Sequence, residues 1–431
     1  MKNDFEINER FAEIYRDYAR QNSIEPNETV LALLAKTKFP TLKDEEWRFT
    51  NVAPILKKNF EPTTKEDKAR GDLREKINRA RLLDSGALLV FENGFLNEEL
   101  SDLSELPEGA VVGGLANAKK ENPELVEKFL GKTIKNKNAF EILNGLFATD
   151  GAFVYIPKNT AVEKPISVVF VNGAEGNPKM ISPRNIIALE ENAEAKVIFS
   201  YNGEGEEYFL NYATEVFASE NASLQLYEFK NESDAAFHIG STESSLAENA
   251  NYNHYEFDLS GKLVRNNLTA DLNGENIECH FYGFYVAKEN RHADNHTYIN
   301  HNKPNCFSNE IYKGILDDEA KAVFSGKILV AKDAQKTNAY QSNKTILLSD
   351  TARIDTKPQL EIYADDVKCT HGATVGQLDS EMLFYIVSRG IPEDTARTLL
   401  IKAFAADVLE GVKLEELKDA INDKILKAID E

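Results

Sequence analysis

Glu191-Asn192-Ala193 recurs along the chain as Glu220-Asn221-Ala222, as Glu248-Asn249-Ala250 and, with one change, as Glu275-Asn276-Ile277. The four asparagines are 29, 28 and 27 residues apart, and strand-like runs separate them. A polar turn repeated at this interval is typical of coils stacked in a β-solenoid. The alternative is that asparagine simply marks hairpin turns in a β-sandwich.

Short β-rich runs surround these turns from about Gly151 onward. They are residues 152–156, 166–171, 185–189, 195–201, 207–217, 223–229, 252–259, 322–330 and 359–363. Asp318-Glu319-Ala320 and Asp350-Thr351-Ala352 extend the turn pattern into the later part of the chain. More than 200 residues of strand without a second domain signal favour the solenoid over the sandwich. We therefore predict a mainly β protein whose solenoid core spans residues 151–376.

Helical regions are predicted on both sides of this core. Residues 1–85 read as helical, and residues 86–150 give a mixed α/β signal that connects them to the core. One face of the first helix is formed by Phe11, Ile14, Tyr15 and Tyr18, at helical spacing. Residues 377–431 carry the caps and apolar stripes of a compact helical domain. Trp47, the only tryptophan, is predicted to plug a junction between domains.

Composition and charge exclude several classes of protein. The 431 residues include 71 acidic and 50 basic side chains, a formal net charge of −21, and such a surface repels nucleic-acid phosphates and anionic lipid. No apolar run reaches the ~18 residues of a membrane span, and the first residues lack the apolar run of a signal peptide. Three cysteines, Cys279, Cys306 and Cys369, are too few for a disulfide framework. We therefore expect a cytoplasmic protein that binds neither nucleic acid nor membrane.

Two glycine-containing segments fall short of nucleotide-binding motifs. Gly131-Lys132-Thr133 resembles the end of a phosphate-binding loop, but Val126 stands where the loop needs its first glycine. Gly203-x-Gly205 lacks a third glycine, because Tyr208 occupies that position. Neither G-x-S-x-G nor C-x-x-C is present. The sequence therefore predicts a chain that hydrolyses no nucleotide by itself.

His292, His296, His301 and Cys306 are closely spaced and are ligand types for zinc or iron. On a helix His292 and His296 would share one face, but the local sequence indicates strand and turn. Histidines that line the coils or form hydrogen bonds are therefore the simpler interpretation, and a metal site is the alternative.

Cys369 and His371 lie two residues apart in a segment that ends at Gly376. If this segment is extended, the two side chains point to the same side, with α-carbons roughly 7 Å apart. A thiol and an imidazole are good ligands for iron, yet two ligands do not complete a cluster. Either the site is not metallic, or another chain supplies the remaining ligands.

Tyr363-Ala-Asp-Asp-Val-Lys-Cys-Thr-His-Gly-Ala-Thr-Val-Gly-Gln-Leu378, followed by Leu383-Phe-Tyr-Ile-Val-Ser-Arg-Gly-Ile391, resembles the SufD branch of the SufB/SufD family. That family serves the Suf system of iron–sulfur cluster assembly. The similarity continues upstream in residues 301–308, 323–328 and 355–362. Pro40-Thr-Leu-Lys-Asp-Glu-Glu-Trp-Arg-Phe-Thr50 resembles the family's N-terminal signature. Residues 150–290 show only a faint likeness.

The resemblance implies a right-handed parallel β-helix flanked by helical regions, and a scaffold rather than an enzyme. It implies a complex in which SufB pairs through the end of the β-helix and two copies of the SufC ATPase dock on the C-terminal helices. His371 matches the family's cluster-building histidine, which would hold iron transiently, and Cys369 matches the neighbouring cysteine. The iron–sulfur cluster is then expected only in the complex, shared with the partner subunit, and no cofactor is expected in the isolated chain.

The C-terminal helical domain carries more apolar side chains than its own packing needs on one side. We expect Leu399, Leu400 and Phe404 to form an exposed apolar patch that binds the ATPase partner. Two rival functions are a β-helix carbohydrate-active enzyme, lyase or hydrolase, with acidic catalytic residues, and a standalone metalloprotein that uses His292, His296 and His301. Whether the isolated chain forms a homodimer does not follow from the sequence.

Overall fold

Two long parallel sheets alternate along the chain in the computed structural model, which describes residues 2–135, 137–148 and 150–430. The chain passes from a strand of one sheet to a strand of the other and then returns one coil further on. The strand order of the first sheet is β20-β18-β16-β14-β12-β10-β8-β5-β4, and that of the second is β21-β19-β17-β15-β13-β11-β9-β6-β2-β3. The mainly β, parallel solenoid predicted from the repeat is therefore confirmed.

The strands are long and regular through the middle of the solenoid. Their bounds are β1 (Glu61–Pro62), β2 (Leu88–Glu92), β3 (Phe95–Leu96), β4 (Val111–Gly114), β5 (Ala152–Ile156), β6 (Ile166–Asn172), β7 (Lys179–Ile181), β8 (Arg184–Leu189), β9 (Glu194–Gly203), β10 (Tyr208–Ala218), β11 (Ser223–Asn231), β12 (Phe237–Leu246), β13 (Asn251–Asp258), β14 (Leu263–Leu272), β15 (Glu278–Ala287), β16 (His292–His301), β17 (Phe307–Leu316), β18 (Lys321–Val330), β19 (Asn338–Leu347), β20 (Arg353–Ile362) and β21 (Lys368–Gly376).

The helices flank the solenoid at both ends of the chain. They are α1 (Lys2–Gln21), α2 (Glu28–Lys36), α3 (Ala53–Leu56), α4 (Leu73–Ala80), α5 (Leu115–Glu121), α6 (Pro123–Phe129), α7 (Ala139–Phe147), α8 (Ser380–Ser388), α9 (Glu393–Leu409) and α10 (Glu415–Asp430). Strand β2 lies among the N-terminal elements but pairs in parallel with β6, so the second sheet of the solenoid begins before residue 151. Among the residues that the structure describes, none of the helices combines the length and the apolar character that a membrane-spanning helix requires.

Both faces of the two sheets are buried along most of the solenoid, up to the exposed last strand β21. Inside the solenoid, alternate residues such as Leu224 and Leu226 of β11 pack in one large apolar core. The residues between them, such as Tyr227 and Phe229, face outward and pack against α9 and α10. The outer face of the first sheet is covered in the same way by α1, α2 and α7. Helices α1, α2 and α7 therefore cover one sheet and helices α9 and α10 the other.

The repeated asparagines form a ladder along one corner of the solenoid. Each adopts a left-handed backbone conformation, with φ near +57°, which asparagine tolerates better than other side chains with a β-carbon. The side-chain amide of Asn221 donates to Asn192 at 3.0 Å, that of Asn249 to Asn221 at 3.0 Å, and that of Asn276 to Asn249 at 3.2 Å. The turn that suggested the solenoid therefore also ties its coils together.

The later turns of the predicted pattern lie elsewhere. Asn305, with φ 62°, continues the asparagine corner in the next coil. Asp318 lies between β17 and β18, and Asp350 between β19 and β20, which is the opposite corner of the solenoid. Acidic turn residues and asparagine turn residues thus mark two different corners of the solenoid. Because both kinds of turn recur along the chain, a single repeat pattern in the sequence does not tell the two corners apart.

Candidate functional site

The solenoid ends in two strands that have a neighbour on one side only. Among the residues that the structure describes, β20 pairs only with β18, and β21 only with β19. Strand edges of this kind present unpaired backbone N–H and C=O groups, which can pair with another chain. The open end of the solenoid is therefore the part of the core that offers unpaired strand edges to another chain.

Cys369 and His371 lie on this last strand. In the register of β21 with β19, Cys369 is opposite Ala339 and His371 opposite Gln341. Ala339 and Gln341 are fully buried inside the solenoid, so Cys369 and His371 continue the inward-facing columns at the point where no further coil covers them. His371 is exposed and Cys369 is half-buried. The predicted pair thus lies on one face of one strand, at an open end.

The Cys369 side chain packs at the edge of a small apolar cluster that includes Ile328, Val330 and Ala339. This burial raises the pKa of the Cys369 thiol, although the backbone of Ala339 opposes the shift. A thiol must lose its proton before it can bind a metal ion. The exposed imidazole is therefore the more accessible of the two candidate ligands.

Directly beneath His371, the inward column continues into polar residues that the sequence analysis did not single out. Gln341 donates from Nε2 to Oε2 of Glu310 at 2.5 Å, and Thr297 donates to the same oxygen at 3.0 Å. The remaining side-chain oxygens of Glu310 and Gln341 have no partner although both are buried. Burial raises the pKa of Glu310 to about 7, despite the two hydrogen bonds. In the sequence, Glu310 is a single glutamate within an alternating strand, and the pattern does not reveal that its side chain faces inward.

The structure separates the four residues of the alternative metal site. His292 and His296 face outward from β16, where His292 Nε2 lies 2.8 Å from Thr50 Oγ1 and His296 Nε2 lies 3.0 Å from Asp294. His301 faces inward and pairs with Ser308 at 2.8 Å. Cys306 lies in the following turn, and its sulfur contacts the carbonyl of Gly274. These ligand types therefore do not converge on one metal ion.

The residues predicted to bind the ATPase partner are only partly at the surface. Leu399 is exposed, Leu400 is half-buried, and Phe404 packs against the solenoid, where the Lys313 ammonium lies 4.6 Å from its ring centre. The larger exposed apolar surface is on α8, a helix without a buried residue. Met382, Phe384 and Tyr385 are 55%, 74% and 59% exposed. The sequence predicts a helix here but does not mark it as a docking surface, because its apolar pattern resembles that of a core helix.

Comparisons with known proteins match nearly the whole chain. The SufBD core domain of the SUF system of FeS cluster assembly matches residues 170–404, and the SufBD protein N-terminal region matches residues 9–168. An iron–sulfur cluster assembly SufBD family protein of Synechocystis is 34% identical over 395 residues, which are 90% of this chain and 86% of that protein. SufD of Escherichia coli is 31% identical over 92% of this chain and 90% of its own length. SufD of Bacillus subtilis is 27% identical over 87% and 86%.

Proposed function

The chain belongs to the SufB/SufD family of iron–sulfur cluster assembly proteins, and from that premise we propose that it is a non-enzymatic scaffold subunit on which a nascent cluster is built. The observation that supports this role is an exposed imidazole on the last strand of the solenoid, beside a half-buried thiol. The cluster is cargo, and two ligands from this chain hold it only in part. A site with few ligands releases a cluster more readily than four thiolates do.

The proposed partners are a SufB paralogue and the SufC ATPase. The unpaired edges of β20 and β21 support SufB pairing at the open end, where the partner would bring the missing ligands to His371 and Cys369. The exposed apolar side chains of α8, together with Leu399, support docking of the ATPase on the C-terminal helices. ATP hydrolysis is assigned to that partner, since this chain lacks a complete phosphate-binding motif.

The family assignment favours this function over a carbohydrate-active β-helix enzyme. The separation of His292 and His296 from His301 argues against a metalloprotein built on those residues. We also propose that the protein works in the cytoplasm. Its three cysteines are free thiols, as is usual in a reducing compartment.

Replacing His371 tests the proposed site. We expect His371→Ala to leave folding and complex formation intact, because the ring is exposed, and to reduce the cluster content of the complex roughly tenfold. Cys369→Ser should have a milder effect, since the raised pKa of the half-buried thiol makes it the weaker ligand. The measurement is iron, sulfide and visible absorption of the complex, co-expressed with both partners and purified without oxygen.

Thr370→Ala is the matched control, because Thr370 is exposed on the same strand but points to the opposite side. It should retain the wild-type cluster content. An unchanged cluster in His371→Ala would refute the proposed role. Loss of the complex itself would assign His371 to the structure of the subunit interface instead.

A further inference from the structure

Five ionisable residues face one another inside the solenoid, far from the surface. Strand β11 contributes Glu228 and Lys230, and the adjacent strand β13 contributes His254, Glu256 and Asp258. Each is at most 2% exposed. Burial of charged groups is unfavourable unless they are paired or bind a metal ion, so the pairing of each charge in this cluster has to be accounted for.

Lys230 is the one cation that the described residues bring to this cluster, and it pairs more closely with two of the three carboxylates than with the third. Its ammonium lies 2.7 Å from Glu256 and 3.2 Å from Asp258, but 3.7 Å from Glu228. The nearest donors to Glu228 are neutral hydroxyls, at 2.7 Å from Tyr212 and 3.4 Å from Thr242. Three carboxyl groups thus face a single ammonium, so that with all three ionised the cluster holds two formal negative charges that no cation among the described residues matches.

His254 gives an independent indication of a ligand. Its Nδ1 atom lies 2.9 Å from the hydroxyl of Tyr252, which fixes the orientation of the ring. Its Nε2 atom is buried and has no hydrogen-bond partner. Ligand atoms of Glu228, His254 and Glu256 all lie within 4.8 Å of one another. A buried histidine with one unpaired ring nitrogen therefore offers a ligand atom within 4.8 Å of the carboxylate that is farthest from Lys230.

We propose that Glu228, His254 and Glu256 bind a divalent first-row transition-metal ion, such as Zn²⁺ or Fe²⁺, as a resident structural ion. Two carboxylates and one imidazole suit these ions, whereas Ca²⁺ and Mg²⁺ prefer ligand sets made of oxygen alone. Two positive charges balance the two unmatched carboxylates. The contact between the Tyr252 hydroxyl and Nδ1 of His254 is of the kind that orients histidine ligands.

The ion would cross-link two neighbouring coils from inside the core. Because every ligand is buried, it would have to enter while the chain folds. This site is separate from the open end of the solenoid, and the proposal departs from the expectation that the isolated chain carries no cofactor. It does not depend on the role of His371 in cluster assembly.

The test measures metal bound by the isolated full-length protein with His371→Ala and Cys369→Ser already in place, so that the open end cannot contribute. The protein is unfolded, refolded with Zn²⁺, passed over a chelating column and assayed for metal and protein. We expect about one Zn²⁺ per chain, and at least a tenfold loss in His254→Gln and in Glu228→Gln. His301→Gln is the matched control, since His301 is also a buried, inward-facing histidine, and it should retain the ion.

A correctly folded parent protein without stoichiometric Zn²⁺ would overturn the proposal, and so would full retention of the ion by folded His254→Gln. If both variants fail to fold, X-ray absorption of the zinc-loaded parent protein decides. One imidazole with oxygen ligands is expected, and sulfur scattering would assign the ion to a cysteine and overturn the site.

Discussion

Asn249 illustrates how one side chain serves both the backbone and the stacking of coils. Its φ of 56° lies in the left-handed region, which costs most residues with a β-carbon roughly 1–2 kcal/mol. Its amide also joins Asn221 on one side and Asn276 on the other. The backbone conformation and the side-chain hydrogen bonds of Asn249 are therefore two separable contributions to the free energy of unfolding.

Two substitutions of Asn249 separate these contributions. Asn249→Ala loses both and should reduce the free energy of unfolding by about 1–3 kcal/mol. Asn249→Gly keeps the left-handed backbone conformation accessible and loses only the exposed side-chain hydrogen bonds of the asparagine ladder. Apart from the entropic cost that glycine carries at any position, it should reduce the free energy of unfolding by about 1 kcal/mol or less. Denaturant unfolding of both variants measures the difference. Equal losses would show that the left-handed conformation contributes nothing.

Glu310 should make stability depend on pH in an unusual direction. Burial raises its pKa from 4.5 to about 7, so the folded chain holds this proton more tightly than the unfolded chain does. The contribution of Glu310 to the free energy of unfolding is present in full below about pH 4.5 and is lost as pH rises through about 7. Glu310→Gln removes the titration and should gain stability relative to wild type between pH 5 and pH 8, by up to about 3 kcal/mol. A constant stability difference across this range would contradict the prediction.

At the scale of elements, the C-terminal helices divide into a structural part and an exposed part. Ile421 of α10 and Val408 of α9 are fully buried against the outward aromatic residues of the second sheet. Helix α8 buries none of its residues. Removal of residues 392–431 would therefore uncover the sheet while leaving α8 in the chain, and single substitutions give a cleaner test.

Phe384→Asp should weaken binding of the ATPase partner without lowering the melting temperature, because Phe384 is 74% exposed. Ile421→Ala is its counterpart and should reduce the free energy of unfolding by about 2–4 kcal/mol. Pull-down of the ATPase and thermal unfolding of each variant measure the two effects. Wild-type binding by folded Phe384→Asp would remove α8 from the proposed interface.

At the scale of the whole molecule, a buried ion pair fastens the N-terminal region to the solenoid. The Arg265 guanidinium lies 3.6 Å from the ring centre of Trp47 and 2.6 Å from Asp294, and Thr50 donates to the same carboxylate. Burial alone would raise the pKa of Asp294, but Arg265 and His296 hold it well below its usual range. At the domain junction predicted for Trp47, its ring thus packs against a charged side chain, Arg265 of β14.

Asp294→Asn should loosen this attachment, because it leaves the Arg265 guanidinium buried without its counter-charge. A loss of about 3–5 kcal/mol is expected for such a broken pair. Limited proteolysis should then cut the N-terminal region faster than in wild type. Asp355→Asn is the control, since the pair of Asp355 with Arg353 is at the surface and should change stability by less than about 1 kcal/mol. Equal proteolysis of the two variants would contradict this account.

The sequence alone predicted the solenoid, because the interval between the asparagine turns is one coil long and asparagine suits a left-handed corner. It also predicted that Cys369 and His371 share one face, since strand side chains alternate with a period of two. Alternation does not reveal which face is inside, and here both faces are buried along most of the solenoid, so that outward Tyr227 is as fully buried as inward Leu226. Only the tertiary structure decided that His301 is the one that faces inward while His292 faces outward, and that Glu310 lies beneath His371. It also decided that Glu228, His254 and Glu256 meet in the core, because residues more than 25 positions apart become neighbours only when coils stack.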